Sequence, residues 1–197
     1  MFKNRNFWLG ILIAVALVTA YKTVASGDKK EQSAQTLTLW DIGYVPTSPA
    51  QNWEDLKLSL IQAHDSEDVQ PVSVKVSFYK GKPMILHLWA TWCGPCVAEL
   101  PHYDHFAQSS KVVNIAVSTD QAPPHRIREY CLKQGIKNVQ LAVDEIGTLN
   151  KQLSAPQIPT TIFINAQGQE IGRIVGPVAW NNPQIATLIE EHIASKM

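Results

Sequence analysis

Cys93 and Cys96, separated by Gly94-Pro95, are the residues of this chain whose type and spacing speak most directly of chemistry. An apolar run over 84–90 leads into Trp92-Cys93 and reads as a buried strand; a helical pattern over 97–108 follows at once. In a strand, Cys-x-x-Cys, helix order, the first cysteine falls at a helix N-terminus, where free N–H groups and the positive dipole end favour a thiolate. A thiolate can attack a disulfide, and a second cysteine one turn on can resolve the mixed intermediate. The competing readings are a structural disulfide or half of a zinc site. Zinc asks for about four ligands, and the chain has no second Cys-x-x-Cys or Cys-x-x-His pair. Dithiol–disulfide exchange is therefore the expected chemistry, with no metal.

Composition narrows the setting. The 197 residues carry 17 Lys+Arg and 17 Asp+Glu, so there is no basic surplus of the kind a nucleic-acid partner calls for. Three cysteines are too few for a disulfide scaffold. A 45% hydrophobic content fits one globular domain plus extensions. Cys131, within a helical pattern between Tyr130 and Leu132, reads as a buried inert thiol. No cysteine outside the pair stands in a peroxidatic context. His102 and His105, three apart on a helix, lack a third ligand and read as surface histidines.

At the N-terminus, Lys3 and Arg5 precede an apolar run over 7–20, a basic region followed by a hydrophobic one, as in an export signal. The expectation is a signal anchor over 1–25, with a cleaved signal peptide as the alternative. The basic end stays inside and the rest is exported. Residues 26–36 are polar and read as a tether. Residues 37–71 read as an N-terminal extension: a short β-like stretch over 37–45 broken by Pro46 and Pro49, then one amphipathic helix. That helix opens at Asn52 and carries Trp53, Leu56, Leu60 and Ile61 near one face.

The elements that must position the cysteines follow. A half-buried strand is expected over 72–78, the central strand over 84–89, a strand over 112–118, a helix over 125–134 and a strand over 139–143. A short helix over 145–153, a hairpin over 160–165 and 170–175, and a final amphipathic helix over 183–196 complete the pattern. Alternating strands and helices with a closing hairpin and helix predict an α/β sheet with helices on both faces.

Gly81-Lys82-Pro83, Trp89 through Cys96, Glu99-Leu100-Pro101, Ile158-Pro159-Thr160-Thr161, Gly168, Arg173 and Gly176 occur in an order and spacing that resembles the TlpA/ResA-like thiol–disulfide oxidoreductases of the thioredoxin superfamily. The resemblance covers 72–197, the expected thioredoxin-like domain; 37–71 departs from the family's short hairpin. It implies a mixed sheet flanked by helices, with Cys93 as attacking thiol, Cys96 as resolving thiol, and Trp92, Gly94 and Pro95 shaping the site. It also implies that Ile158-Pro159 contains a cis proline facing the cysteines, beside which a substrate chain pairs. Glu99 would tune the cysteines; a solvated surface glutamate is the alternative. Where thioredoxin has a buried aspartate six residues before the first cysteine, this chain has His87, either a proton relay or a satisfied core histidine.

The implied activity is reduction of protein disulfides on the periplasmic side of a bacterial inner membrane. The redox-active Cys93–Cys96 disulfide needs no other cofactor. A DsbD/CcdA-like membrane electron donor would re-reduce it, and clients would lie in cytochrome c maturation or copper-centre assembly. Gly94-Pro95 leans toward a reductant, since thioredoxin lies near about −270 mV and the oxidant DsbA near about −120 mV. A disulfide-forming oxidase and a Cu(I) metallochaperone are the rival functions.

Overall fold

A computed structural model describes residues 37–61 and 70–196, so the expected anchor and tether over 1–36 lie outside the described residues. Among the described residues no helix is long and apolar enough to cross a membrane. These described residues cluster as one compact unit. Its frame is a sheet of eight strands: β1 (Tyr44–Asn52), β2 (Lys57–Leu60), β3 (Val72–Lys75), β4 (Met84–Trp89), β5 (Val113–Ser118), β6 (Gln140–Val143), β7 (Thr160–Ile164) and β8 (Gln169–Val175). Their spatial order is β1-β8-β7-β4-β5-β6-β2-β3, with β4–β5 and β5–β6 parallel and the other pairs antiparallel.

β4 is buried along its whole length, as its near-continuous apolar run requires of a strand covered on both faces. Strand alternation sends Ile85 and Trp89 into one core cluster and Met84, Leu86 and Leu88 into the other. The first cluster receives the buried sides of α1 (Gly94–Ser109), α2 (Pro124–Lys133) and α4 (Pro183–Ala194). The second receives Leu149 of α3 (Thr148–Gln152) together with Trp53, Leu56 and Leu58 from the N-terminal segment. In α4 the buried positions are Ile185, Ile189 and Ile193, the spacing of a helix with one apolar stripe.

The N-terminal segment corrects the sequence reading. In place of a helix opening at Asn52 there is a strand ending there, a tight turn, and β2. Asn52 Oδ1 accepts from the backbone N–H of Glu54, capping a turn instead of a helix. Pro46 and Pro49 do not end the β structure either. β1 runs across both as an edge strand, and its pairing with β8 slips between Pro46 and Gln51. The stretch over 37–45 expected to be extended holds a 3-10 turn, Trp40–Ile42, before β1 begins. β3 is shorter than expected, giving way to a second 3-10 turn at Val76–Tyr79, and α3 spans only part of 145–153.

Long-range partners explain these differences. Glu170 of β8 is wholly buried and accepts from Thr47 Oγ1 (2.7 Å), Trp53 Nε1 (3.0 Å), Arg173 Nε (2.7 Å) and Arg173 Nη2 (2.8 Å). The Trp53 backbone N–H donates to Gly168 O (2.8 Å). The Tyr44 ring lies over Gly172, where an added Cβ would sit 2.3 Å from ring carbon and oxygen, so glycine is required for β1 to close on β8. The contacts of Tyr44, Thr47 and Trp53 each join residues more than a hundred positions apart, beyond the reach of local periodicity.

Candidate active site

The site is assembled at the end of β4. Cys93 is the N-cap of α1, in extended backbone, and Pro95 stands in the first helical turn where its missing N–H is harmless. The Cys96 N–H donates to Cys93 Sγ at 3.3 Å, and the two sulfurs are joined as a disulfide. After reduction the same N–H, together with the helix dipole, is positioned to stabilise a thiolate on Cys93. Cys93 is 7% exposed and Cys96 is fully buried, while Trp92 beside them is 71% exposed. Gly94 and Pro95 are exposed as well. The outer sulfur thus lies at the edge of a surface, the inner one beneath it.

Ile158 and Pro159 arrive from the other side, at the start of β7. Their peptide bond is cis, and Ile158 O lies 3.9 Å from Cys93 Sγ. Pro159 O accepts from the Gly176 N–H (2.8 Å), tying the loop to the end of β8.

Two side chains lie in the interior behind the sulfurs. Glu99, on α1 one turn after Cys96, is 6% exposed and not a surface residue. Its Oε2 accepts from the Val178 N–H at 2.6 Å. Burial pushes its carboxyl up to about 7, against the lowering effect of Val178 and of the Trp180 indole, whose Nε1 makes no bond of full geometry. His87, central on β4, is completely buried. Its Nδ1 is 3.0 Å from Oγ1 of Thr161, its direct cross-strand neighbour on β7. Its Nε2 faces Glu99 Oε1 at 3.5 Å, and burial holds the imidazole down to about 3. At neutral pH the imidazole is therefore uncharged, and the two groups are not an ion pair of His⁺ and carboxylate.

Asp120, Thr161, Val178 and Trp180 were not singled out from sequence. Asp120, just past β5, accepts from Thr91 N–H (3.0 Å), Thr91 Oγ1 (2.6 Å) and Ser118 Oγ (2.7 Å), holding the turn that presents Trp92 and Cys93. Thr161 lay within a quoted motif, but only the strand register reveals that it meets His87. Val178 and Trp180 come from the β8–α4 connection and carry no local signal. His102 and His105 are exposed on α1, away from this arrangement of buried groups. Cys131 is fully buried on α2, and burial pushes its thiol up to about 12, which makes it inert at physiological pH.

The sequence profile of the Redoxin family matches residues 48–189. The chain belongs to the Redoxin family. Among curated relatives, the thiol–disulfide oxidoreductase ResA of Bacillus thuringiensis subspecies konkukian is 27% identical over 115 residues, 55% of this chain and 64% of that protein. ResA of Oceanobacillus iheyensis is 35% identical over 116 residues, 56% of this chain and 57% of its own length. The match thus spans less than two thirds of the length of these relatives. Among solved structures, the exposed lipoprotein thioredoxin of Streptococcus pneumoniae superposes with a TM-score of 0.55 at 25% identity, over 69% of this chain and 98% of that one. The fold of this Redoxin domain is thioredoxin-like, and the similarity to ResA agrees with the family resemblance read from its motifs.

Proposed function

We propose that this protein is an exported thiol–disulfide oxidoreductase that reduces disulfides in other proteins. The observation that carries this reading is the Cys93–Cys96 pair at the head of α1, with a backbone amide aimed at Cys93 Sγ and an exposed Trp92 beside it. In the reduced enzyme the Cys93 thiolate attacks one sulfur of a client disulfide and the other sulfur leaves as a thiolate. Cys96 then loses its proton and attacks Cys93 Sγ, which re-forms the Cys93–Cys96 bond and releases the second client sulfur. Two electrons pass from the dithiol to the client, whose two thiolates take up two protons. Ile158 O, 3.9 Å from Cys93 Sγ, supports docking of an extended client segment beside the disulfide by strand-like pairing.

The reductive direction rests on the Gly94-Pro95 dipeptide. The extracytoplasmic location rests on the N-terminal signal pattern and on the similarity to a pneumococcal exposed lipoprotein. A dithiol spent outside the cytoplasm needs an electron source, so a DsbD/CcdA-like membrane donor is the proposed partner. Clients of cytochrome c maturation or copper-centre assembly are the proposed substrates, and the disulfide itself is the redox group. Insulin reduction coupled to measurement of the Cys93–Cys96 potential tests the activity and its direction. A value near thioredoxin's supports a reductase, and one near about −120 mV identifies an oxidase instead. Cys96→Ala should trap clients as mixed disulfides on Cys93; absence of any trapped protein would count against the whole reading.

A further inference from the structure

Four loops meet at the end of the sheet that carries Cys93. In cross-strand register Thr160 of β7 stands beside Leu88 of β4, Trp89 beside Ser118 of β5, and Ser118 beside Val143 of β6. The loop before β7 and the loops after β4, β5 and β6 therefore leave this row on the same side. They carry, in spatial order, Ile158, then Trp92 with Cys93, then Ala122 with Pro123, then Ile146. Lateral bonds hold these loops together. Thr91 is bonded to Asp120, and the Asp144 N–H donates to Ser118 O (2.8 Å). Asp144 also fixes the turn that follows it. Its carbonyl accepts from the Gly147 N–H (3.1 Å), and its carboxylate from the N–H groups of Leu149 (3.0 Å) and Asn150 (2.7 Å). Gly147 supplies the left-handed backbone, φ 68°, that closes the turn. Ile146 stands in this fastened turn 85% exposed. A single exposed isoleucine is ordinary on a protein surface. This one lines an open depression of about 500 Å³ together with Gln121, Ala122, Pro123 and Glu145.

The depression and the disulfide share one end of the sheet, two strands apart. Neighbouring strands lie about 4.8 Å from each other, which puts the ends of β4 and β6 about 10 Å apart. A client attacked by Cys93 must lay chain across this end. In an extended chain the same-face residues two and four positions from the reacting cysteine reach about 7 and about 13 Å, which brackets the depression. Its walls set what fits. Ile146, Ala122 and Pro123 offer aliphatic surface, and of the residues lining it Glu145 alone is charged. Because the turn is already fixed by Asp144, docking there orders little of the enzyme, which favours binding. We propose that Ile146, with Pro123 and Glu145, forms a specificity subsite for the client chain. It takes a branched apolar side chain two or four residues from the attacked cysteine, with a basic residue beside it for the Glu145 carboxylate. The proposal rests on the disulfide-exchange reading above and adds the class of client sequence which that reading leaves open. Ile146 touches the client chain and takes no part in the exchange of bonds.

The experiment is a single-turnover reaction of the reduced full-length protein with peptides whose one cysteine is held in a disulfide to thionitrobenzoate. Attack of Cys93 on the peptide sulfur breaks that bond, and coloured thionitrobenzoate leaves with the electron pair. The series places Leu or Ser two and four positions to either side of the cysteine, with Lys or Glu next to it. The expected result is a second-order rate constant about ten-fold higher for a Leu peptide than for its Ser counterpart, the lower end of what an apolar pocket discriminates. Lys beside the Leu should be about three-fold better than Glu, as an exposed ion pair allows, and that preference should shrink as salt is raised. Ile146→Ser should bring the Leu peptides to the rate of the Ser peptides, and Glu145→Gln should remove the Lys preference alone. Both side chains are exposed, so neither variant disturbs the core. No preference for Leu in the wild type, a preference that survives Ile146→Ser, or a loss shared equally by every peptide overturns the proposal. Self-association of the reduced protein that Ile146→Ser abolishes, read by sedimentation, would give the depression to a second copy and overturn it too. Equal reaction of all peptides sinks only the subsite; a series in which no peptide releases thionitrobenzoate sinks the exchange reading itself.

Discussion

Among the described residues two glutamates are buried, and their surroundings could hardly differ more. Glu170 on β8 is surrounded by donors: a threonine hydroxyl, an indole N–H and two nitrogens of one guanidinium. Glu99 on α1 has the Val178 N–H on one oxygen, with a neutral imidazole and the Trp180 indole beside the carboxyl, neither in full bonding geometry. A carboxylate with every lone-pair direction answered, and a guanidinium against it, is held in one position. A carboxyl with one answered oxygen and an uncharged partner can change protonation state at low cost. The first is a structural fastener; the second is suited to moving a proton.

Breaking the fastener should have the largest effect. Glu170→Ala leaves the Arg173 guanidinium half-buried without its partner and frees Thr47 and Trp53, and loss of one member of a buried pair costs about 3–5 kcal/mol. Denaturant unfolding should show that loss, while disulfide exchange by the folded fraction stays at the wild-type rate. A matching drop in rate would mean that the fastener and the site are coupled, and the contrast between the glutamates would fail. Gly172→Ala tests the same junction through packing. Its Cβ would enter the Tyr44 ring, and overpacking of that kind costs about 1–3 kcal/mol. Unchanged stability there would show that β1 can move off β8 freely.

Trp53→Phe is a milder probe. It keeps the buried ring and removes one of the donors to Glu170, whose oxygen retains the guanidinium, so a loss of about 1 kcal/mol is expected. A loss several times larger would reveal that the indole, and not the arginine, anchors the segment.

The same contrast explains what could be read from sequence. The Cys93–Cys96 site announces itself because its logic is local: a buried strand, a cap and a helix lie consecutively, and each has a composition that declares it. The β7–β8 hairpin and α4 were legible for the same reason. The segment around Trp53 was misread because Trp53, Leu56 and Ile61 fit a helical face equally well, and what decides the matter is Glu170, over a hundred residues away. His87 could be placed inside the protein from its alternation with apolar neighbours. That its two nitrogens face Thr161 and Glu99 depends on strand register and helix docking, which no local pattern encodes. Asp120 was overlooked since an aspartate after a strand looks like any loop residue until its three bonds are seen.

The chemical pair is best exposed by pH, where its two members act in opposite directions. Glu99 is raised by burial from 4.5 to about 7, so the folded protein binds more protons there than the unfolded chain; its contribution to stability is full below about 4.5 and is lost as pH rises to 7. His87 is lowered from 6.5 to about 3, so its contribution is full above about 6.5 and is lost as pH falls toward 3. Between the two unperturbed values the slopes oppose each other. Relative to wild type, Glu99→Gln should therefore gain stability with rising pH across that window, and His87→Asn should lose it. The smallest effect belongs to the double variant, whose stability curve should run parallel to wild type through the window, offset but not tilted. Chemical denaturation at a series of pH values reads all three curves. A single variant parallel to wild type would show that its residue does not titrate in the way its burial dictates, and Glu99 would then be a second fastener and not a proton carrier.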